Sequence, residues 1–343
     1  MPCKPFIAVC LLALMPPVSM AAPEPMPRAL LAISKVEHTL SVIDPQTLAV
    51  VARLPVGPDP HEVVVSSDGA RAYVSNTGYG AFHEIDVLDL AHFKVLPAID
   101  TRPLLGPHGL AYVQDKLWFT AQGTQAVARF DPQRGEVDWM LGTGQNTTHV
   151  IYVSPDAKAV YTTNVDSGTV SLMREVMVQP TVPPTGVLPA GARPRLDWRQ
   201  TLVTVGQGAE GFDVSPDGRE LWTATPAGTL SVVDLASAEV LQEDLHLQGA
   251  HRVGITPDGK YVLIASVGTG ELVVLDRRTR QEVKRLTVGR GASLRMDPVG
   301  ERVFIACTPD NFIAVFDLNT LAVSAHLDIG GRPDGMAWAT RRE

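Results

Sequence analysis

The chain has 343 residues, 45% of them apolar and 19% charged, with a formal net charge of -8 at pH 7. This is the composition of an ordinary soluble globular protein with ample material for a core. The acidic balance argues against a nucleic-acid or anionic-membrane surface and leaves small molecules, metals or proteins as partners.

In chain order, the first feature is a secretory signal over residues 1–22. Lys4 supplies the charge, FIAVCLLALM (6–15) the apolar segment, and SMA or MAA before Pro23 the small-residue cleavage sites. A run of about ten apolar residues is too short to span a bilayer, so no membrane insertion is expected after cleavage and the mature protein is expected to be periplasmic or secreted. Cys10 lies inside the apolar run behind Val9, a poor lipoprotein site, so Cys307 is the one cysteine of the mature chain. A lone thiol forms no internal disulfide, and the fold must be held by burial.

From residue 28 onward the chain repeats. RALLAISKVEHTLSVIDPQTLAVVARLPVG reads as the last three strands of a unit that lacks its first. Complete units then begin at PHEVVVSSDG (60), PHGLAYVQDK (107), THVIYVSPDA (148), AEGFDVSPDG (209), AHRVGITPDG (250) and ASLRMDPVGE (292). Each is a strand, an SPDG-type turn, a second strand, a loop and two more strands, at a spacing of roughly 41 residues, which is the period of four-stranded propeller blades. The segment 174–199, REVMVQPTVPPTGVLPAGARPRLDWR, reads as an irregular, solvated insertion within one blade. Near the end, PDGMAWA supplies the strand missing from the N-terminal unit. The expected fold is therefore all-β: a seven-bladed β-propeller of four-stranded antiparallel blades over 28–343, with the ring closed by strands from both termini and no open sheet edge.

AYVSN (72–76) and VYTTN (160–164) each follow a PDG-like turn and resemble the YVTN-type propeller repeat. The stretch VIDPQTLAVVARLPVGPDPHEVVVSSDG resembles the exported YncE-like proteins of that class. The resemblance covers essentially the whole mature chain and implies the propeller fold. It implies no single activity, because similar propellers include lactonases, lyases, redox proteins and binding modules.

Counting back from the SPDG-type turns places one equivalent residue at the start of each blade's first strand: Asp334, His61, His108, His149, Glu210, His251 and Ala292. In a propeller these side chains converge on the central axis. Histidine accounts for 9 of 343 residues yet fills four of these seven positions. Converging imidazoles are typical metal ligands, and without a metal their protonation together is unfavourable. His61, His108, His149 and His251 are therefore expected to bind a transition metal. Nitrogen donors with carboxylate support suit zinc, copper or iron, whereas calcium and magnesium prefer oxygen. Glu210 is the expected general base, Asp334 a substrate contact, and Ala292 the open side of the ring.

Loops between second and third strands are expected to bring Asn76, Tyr79, His83 and Asn164, with His38 and Phe82, around the mouth as substrate contacts. GQGAEG (206–211) matches G-x-G-x-x-G but precedes a strand and lacks the helix whose N-terminus holds a pyrophosphate, so it is no dinucleotide site. His92, His246 and His326 fall on outer strands and are expected at the surface. The expected function is that of an exported metalloenzyme acting on a small molecule, of oxidoreductase, lyase or hydrolase/lactonase type. The alternative is a non-catalytic module that binds metal or ligand, or meets a protein partner through its loops.

Overall fold

A computed structural model describes residues 28–184 and 186–341. The expected signal at 1–22 lies outside them. Among the described residues no helix is long and apolar enough to cross a membrane.

The described chain forms seven four-stranded sheets. We number the blades by their innermost strands: Pro60–Val65 (blade 1), Pro107–Val113 (2), Thr148–Val153 (3), Phe212–Val214 (4), Ala250–Ile255 (5), Ser293–Met296 (6) and Pro333–Thr340 (7). Each innermost strand packs beside that of the next blade, and blade 7 returns to blade 1, so the sheets stand in a closed ring. The seven-bladed propeller expected from the repeats is the observed fold.

Closure is as expected. Pro333–Thr340 pairs antiparallel with Arg28–Ser34, with Arg28 opposite Thr340 and Leu30 opposite Trp338, and Thr39–Ile43 and Val50–Pro55 complete the blade. The SPDG turns form through their own residues. Gly218 N–H donates to Ser215 O at 2.8 Å, and Gly218 sits at φ 69°, a conformation that glycine adopts without strain.

The core lies between blades. Second and third strands such as Tyr261–Ser266 and Glu271–Asp276 are buried on both faces because each sheet is sandwiched by its neighbours. This explains their near-continuous Val, Leu and Ile. Fourth strands such as Lys94–Asp100 form the mostly exposed rim. Trp118, Trp222, Phe304 and Phe316 are fully buried in these seams, and so is the free thiol of Cys307.

The insertion is more ordered than expected. Thr169–Val178 and Arg195–Thr204 pair over ten residues each, with Arg174 opposite Arg199 and Val178 opposite Arg195, and of the described residues between them 179–184 and 186–194 join no strand. The prolines and glycines that marked the loop all fall within 179–194, while the flanking segments carry strand-forming residues that extend the blade outward.

Candidate axial site

Two local devices aim the first residues of the innermost strands. In blades 1, 2, 3, 5 and 7 the pairing of first and second strands slips there, for example between Pro60 and Val63 and between Pro107 and Leu110. Such bulges re-aim side chains at sheet rims. The second device links blades. Ser75 Oγ donates to His108 O at 2.7 Å, Thr120 Oγ1 to His149 O at 2.6 Å, and Thr163 Oγ1 to Glu210 O at 2.6 Å. Ser75 and Thr163 are the hydroxyl residues of AYVSN and VYTTN. The repeat motif thus fixes the backbone of the next blade's axial residue. The approach is close enough that a Cβ on Gly109 would lie 2.3 Å from His149 O, and one on Gly335 would lie 2.3 Å from His61 O. No side chain larger than glycine's fits there.

All seven axial residues line one cavity of about 250 Å3. The rings of His61 and His108 are 4.6 Å apart, and those of His108 and His149 3.8 Å. The Nδ1 atoms of both His108 and His149 are buried without a hydrogen-bond partner. Burial, reinforced by the adjoining His149 and His61 and then by Arg252 and Lys35, pushes His108 well below the usual histidine range; His149 is lowered to about 4, with burial the main cause. Both imidazoles are therefore neutral near pH 7.

The other two histidines are engaged. His251 Nε2 lies 2.5 Å from Glu210 Oε2, and its Nδ1 lies 3.0 Å from Ala292 O. Burial pushes the Glu210 carboxyl up, but the hydrogen bond and charge of His251 prevail and hold it at about 2. His61 Nε2 lies 3.2 Å from Asp59 Oδ1 and 2.8 Å from Lys35 Nζ, and Lys35 also approaches Asp334 at 3.4 Å. Asp59 is likewise held at about 2, the attraction of His61 and Lys35 outweighing its burial. Beneath the ring, Arg252 Nη2 meets Glu62 Oε1 at 2.7 Å. Four carboxylates (Asp59, Glu62, Glu210, Asp334) thus face three lysine and arginine cations (Lys35, Arg252, Arg332) around the ring. Among the described residues, no three His, Cys, Asp or Glu side chains are grouped as they would be about a metal ion.

The expected mouth residues do not join this cavity. Asn76 and Asn164 are fully buried within their blades. Asn76 Nδ2 donates to Asp86 at 2.8 Å, and Asn164 Nδ2 donates to Thr169 and Ser171 at 3.0 and 2.9 Å. Both end a second strand, where their amides satisfy polar groups of the third strand instead of facing solvent. Tyr79 is fully exposed on its loop, and His83 Nδ1 lies 3.2 Å from Asp100 on the rim. The outer histidines are exposed as expected, His92 beside Asp89 and His246 beside Asp244. Sequence reasoning missed Lys35, Asp59, Glu62, Arg252 and Arg332. For Glu62 and Arg252 a signal existed, since each directly follows an axial histidine, where the bulge turns a second residue inward.

No family model and no curated protein sequence matches the chain. Solved structures do. A provisionally assigned 6-phosphogluconolactonase from Bacteroides uniformis superimposes with a TM-score of 0.69 at 14% identity, over 91% of this chain and 99% of that one. Hydrazine synthase of Kuenenia stuttgartiensis gives 0.66 at 18% identity, over 82% and 89%. Dihydro-heme d1 dehydrogenase gives 0.60 at 15% identity, over 94% and 77%. At these identities the likeness defines the class of protein, a seven-bladed β-propeller, and nothing narrower.

Proposed function

We propose that the chain is an exported propeller of the YVTN-repeat type whose axial site binds a transition-metal ion and acts on a small molecule. The observation that carries this reading is the His108–His149 pair, two neutral imidazoles 3.8 Å apart whose buried Nδ1 atoms lack partners. A buried polar atom left bare costs about 1–3 kcal/mol, and the neutral imidazole is the form that ligates a metal. Zinc, copper or iron fits such donors, and the carboxylates of Glu210, Asp334 and Asp59 beside the imidazoles favour a cation. His61 and His251 complete the set once they turn from Lys35 and Glu210. A bound ion would supply Lewis-acid or water-activating chemistry. A carboxylate held near 2 is a poor proton acceptor, so Glu210 serves to hold His251 and to balance charge. Export rests on Lys4, the apolar segment 6–15 and the small residues before Pro23.

The test is metal analysis of protein purified without affinity tag or chelator, followed by titration with zinc, copper and ferrous iron. Near-stoichiometric metal is expected in the parent and in His92→Ala, with strong loss in His108→Ala and His149→Ala. Absence of metal together with no uptake on titration overturns the reading.

One observation favours a second reading. Lys35 Nζ lies 2.8 Å from His61 Nε2, a cation on the nitrogen that a metal would need. A metal-free pocket for a polar organic molecule would use Lys35 as a donor. Under that reading Lys35→Met abolishes ligand binding, whereas under the first it raises metal affinity.

A further inference from the structure

The Glu62–Arg252 pair divides the channel, for both residues line the axial cavity and also a second one of about 530 Å3. The second cavity opens toward the SPDG-turn face. Its walls include Tyr112 and Tyr152, four and three residues beyond the axial histidines of blades 2 and 3, and thus roughly 10–13 Å further along the strands. Phe212, Leu294 and Trp338 add apolar wall.

Arg295, on the innermost strand of blade 6, lines this cavity. Its Nε donates to Met336 O at 2.7 Å. Among the described residues no carboxylate lies within ion-pair distance of its guanidinium, whereas Arg252, one blade away, has Glu62. Burial is the main influence on Arg295 and pushes it below the usual arginine range, the attraction of Glu62 and Asp213 offsetting this only in part. Asp213, in the same cavity, is no substitute. Its Oδ2 accepts Ile255 N–H and its Oδ1 accepts Val214 N–H, both at 2.8 Å, so each oxygen is already committed to a backbone donor.

We propose that this cavity is a second ligand site, separate from the histidine ring, which takes a small organic acid: its oxyanion on Arg295 and its flat apolar body against Tyr112 and Tyr152. The planar guanidinium fork suits a carboxylate, and aromatic walls at a distance of a few residues from it suit a ring or a short chain. The axial cavity also holds guanidinium groups, those of Arg252 and Arg332, but among the described residues no Tyr, Phe or Trp side chain lines it. The two sites are therefore expected to be independent.

Benzoate and inorganic phosphate are the probes, titrated at low ionic strength by calorimetry and by the change in tryptophan fluorescence that is lost in Trp338→Phe. Benzoate is expected to bind the parent and His108→Ala alike. Binding to Arg295→Met should be at least about tenfold weaker, the loss of one charge-assisted hydrogen bond, with Arg295→Lys in between. Circular dichroism and melting of Arg295→Met, compared with the parent, establish that the variant is folded. No benzoate binding by the parent at millimolar concentration overturns the proposal, as does undiminished binding by folded Arg295→Met. Binding of phosphate without benzoate overturns the organic-acid assignment. Loss of benzoate binding in His108→Ala would place the ligand in the axial cavity instead and overturn the second site, while leaving the metal reading to its own test.

Discussion

Arg252 of blade 5 reaches across the axis to Glu62 of blade 1, 190 residues earlier, and pairs Nη2 to Oε1 at 2.7 Å. The pair is a strut as well as a floor, since it joins strands that are not neighbours in the ring. Both side chains are 12% exposed, so removal of one partner strands a desolvated charge. Arg252→Met or Glu62→Leu is expected to destabilise by about 3–5 kcal/mol, and the double variant by clearly less than the sum. Urea unfolding of the four proteins measures the coupling. Additive losses would show that the contact contributes no interaction of its own.

The inter-blade hydroxyls make a second prediction. Thr120 Oγ1 accepts Gly109 N–H at 2.8 Å while donating to His149 O at 2.6 Å. Thr120→Val keeps the shape and leaves both backbone groups bare at a cost of about 1–3 kcal/mol. Because the hydroxyl holds the backbone of His149, metal uptake should weaken with stability, although Thr120 never faces the cavity. A variant that melts lower but takes up metal as the parent does would separate stability from the positioning of His149.

The repeat was legible because blade geometry demands strands, turns and hydroxyls at fixed intervals, and each leaves a local mark such as Asp217-Gly218 or Thr163. The axial ring was legible for the same reason: His61, His108, His149 and His251 occupy one register position. What could not be read were contacts across the axis. Arg252 reaches Glu62, and Lys35 reaches Asp334, only through closure of the whole ring, which no local spacing encodes. Asn76 and Asn164 misled because a polar residue at a strand end can face solvent or cap its own blade, and here the half-buried Asp86 and the fully buried Ser171 claim them.

Ring closure predicts a strong truncation effect. Pro333–Thr340 is the innermost strand of blade 7, and Met336, Ala337 and Ala339 are buried. Deleting residues from Arg332 onward exposes the edge of Arg28–Ser34 and opens the channel wall. Aggregation or a large fall in melting temperature is expected. A truncated chain that stays monomeric with the parent's melting temperature would rule out the split blade as the source of closure.

The buried imidazoles set a pH dependence whose sign can be worked out for metal-free protein. Burial lowers His149 from 6.5 to about 4 and puts His108 well below 6.5. A depressed folded pKa means that the native state resists protonation more than the unfolded chain does. The stability these residues contribute is therefore present above 6.5 and is lost as pH falls through that value toward 4, by roughly 3 kcal/mol for His149. Asp213 acts oppositely: burial raises it from 3.8 to about 6, so its contribution is full below 3.8 and is lost as pH rises through 6. Glu210 and Asp59, both held at about 2, keep their contributions until pH falls below 4.5 and 3.8 respectively. Because the terms overlap, the informative quantity is a difference between proteins. His149→Leu should lose less stability than the parent between pH 6.5 and 4, as followed by melting temperature at each pH, and Asp213→Leu should lose more. Parallel curves for parent and His149→Leu would mean that His149 titrates as it does in the unfolded chain, and that its imidazole is not the buried neutral donor that the proposed metal site requires.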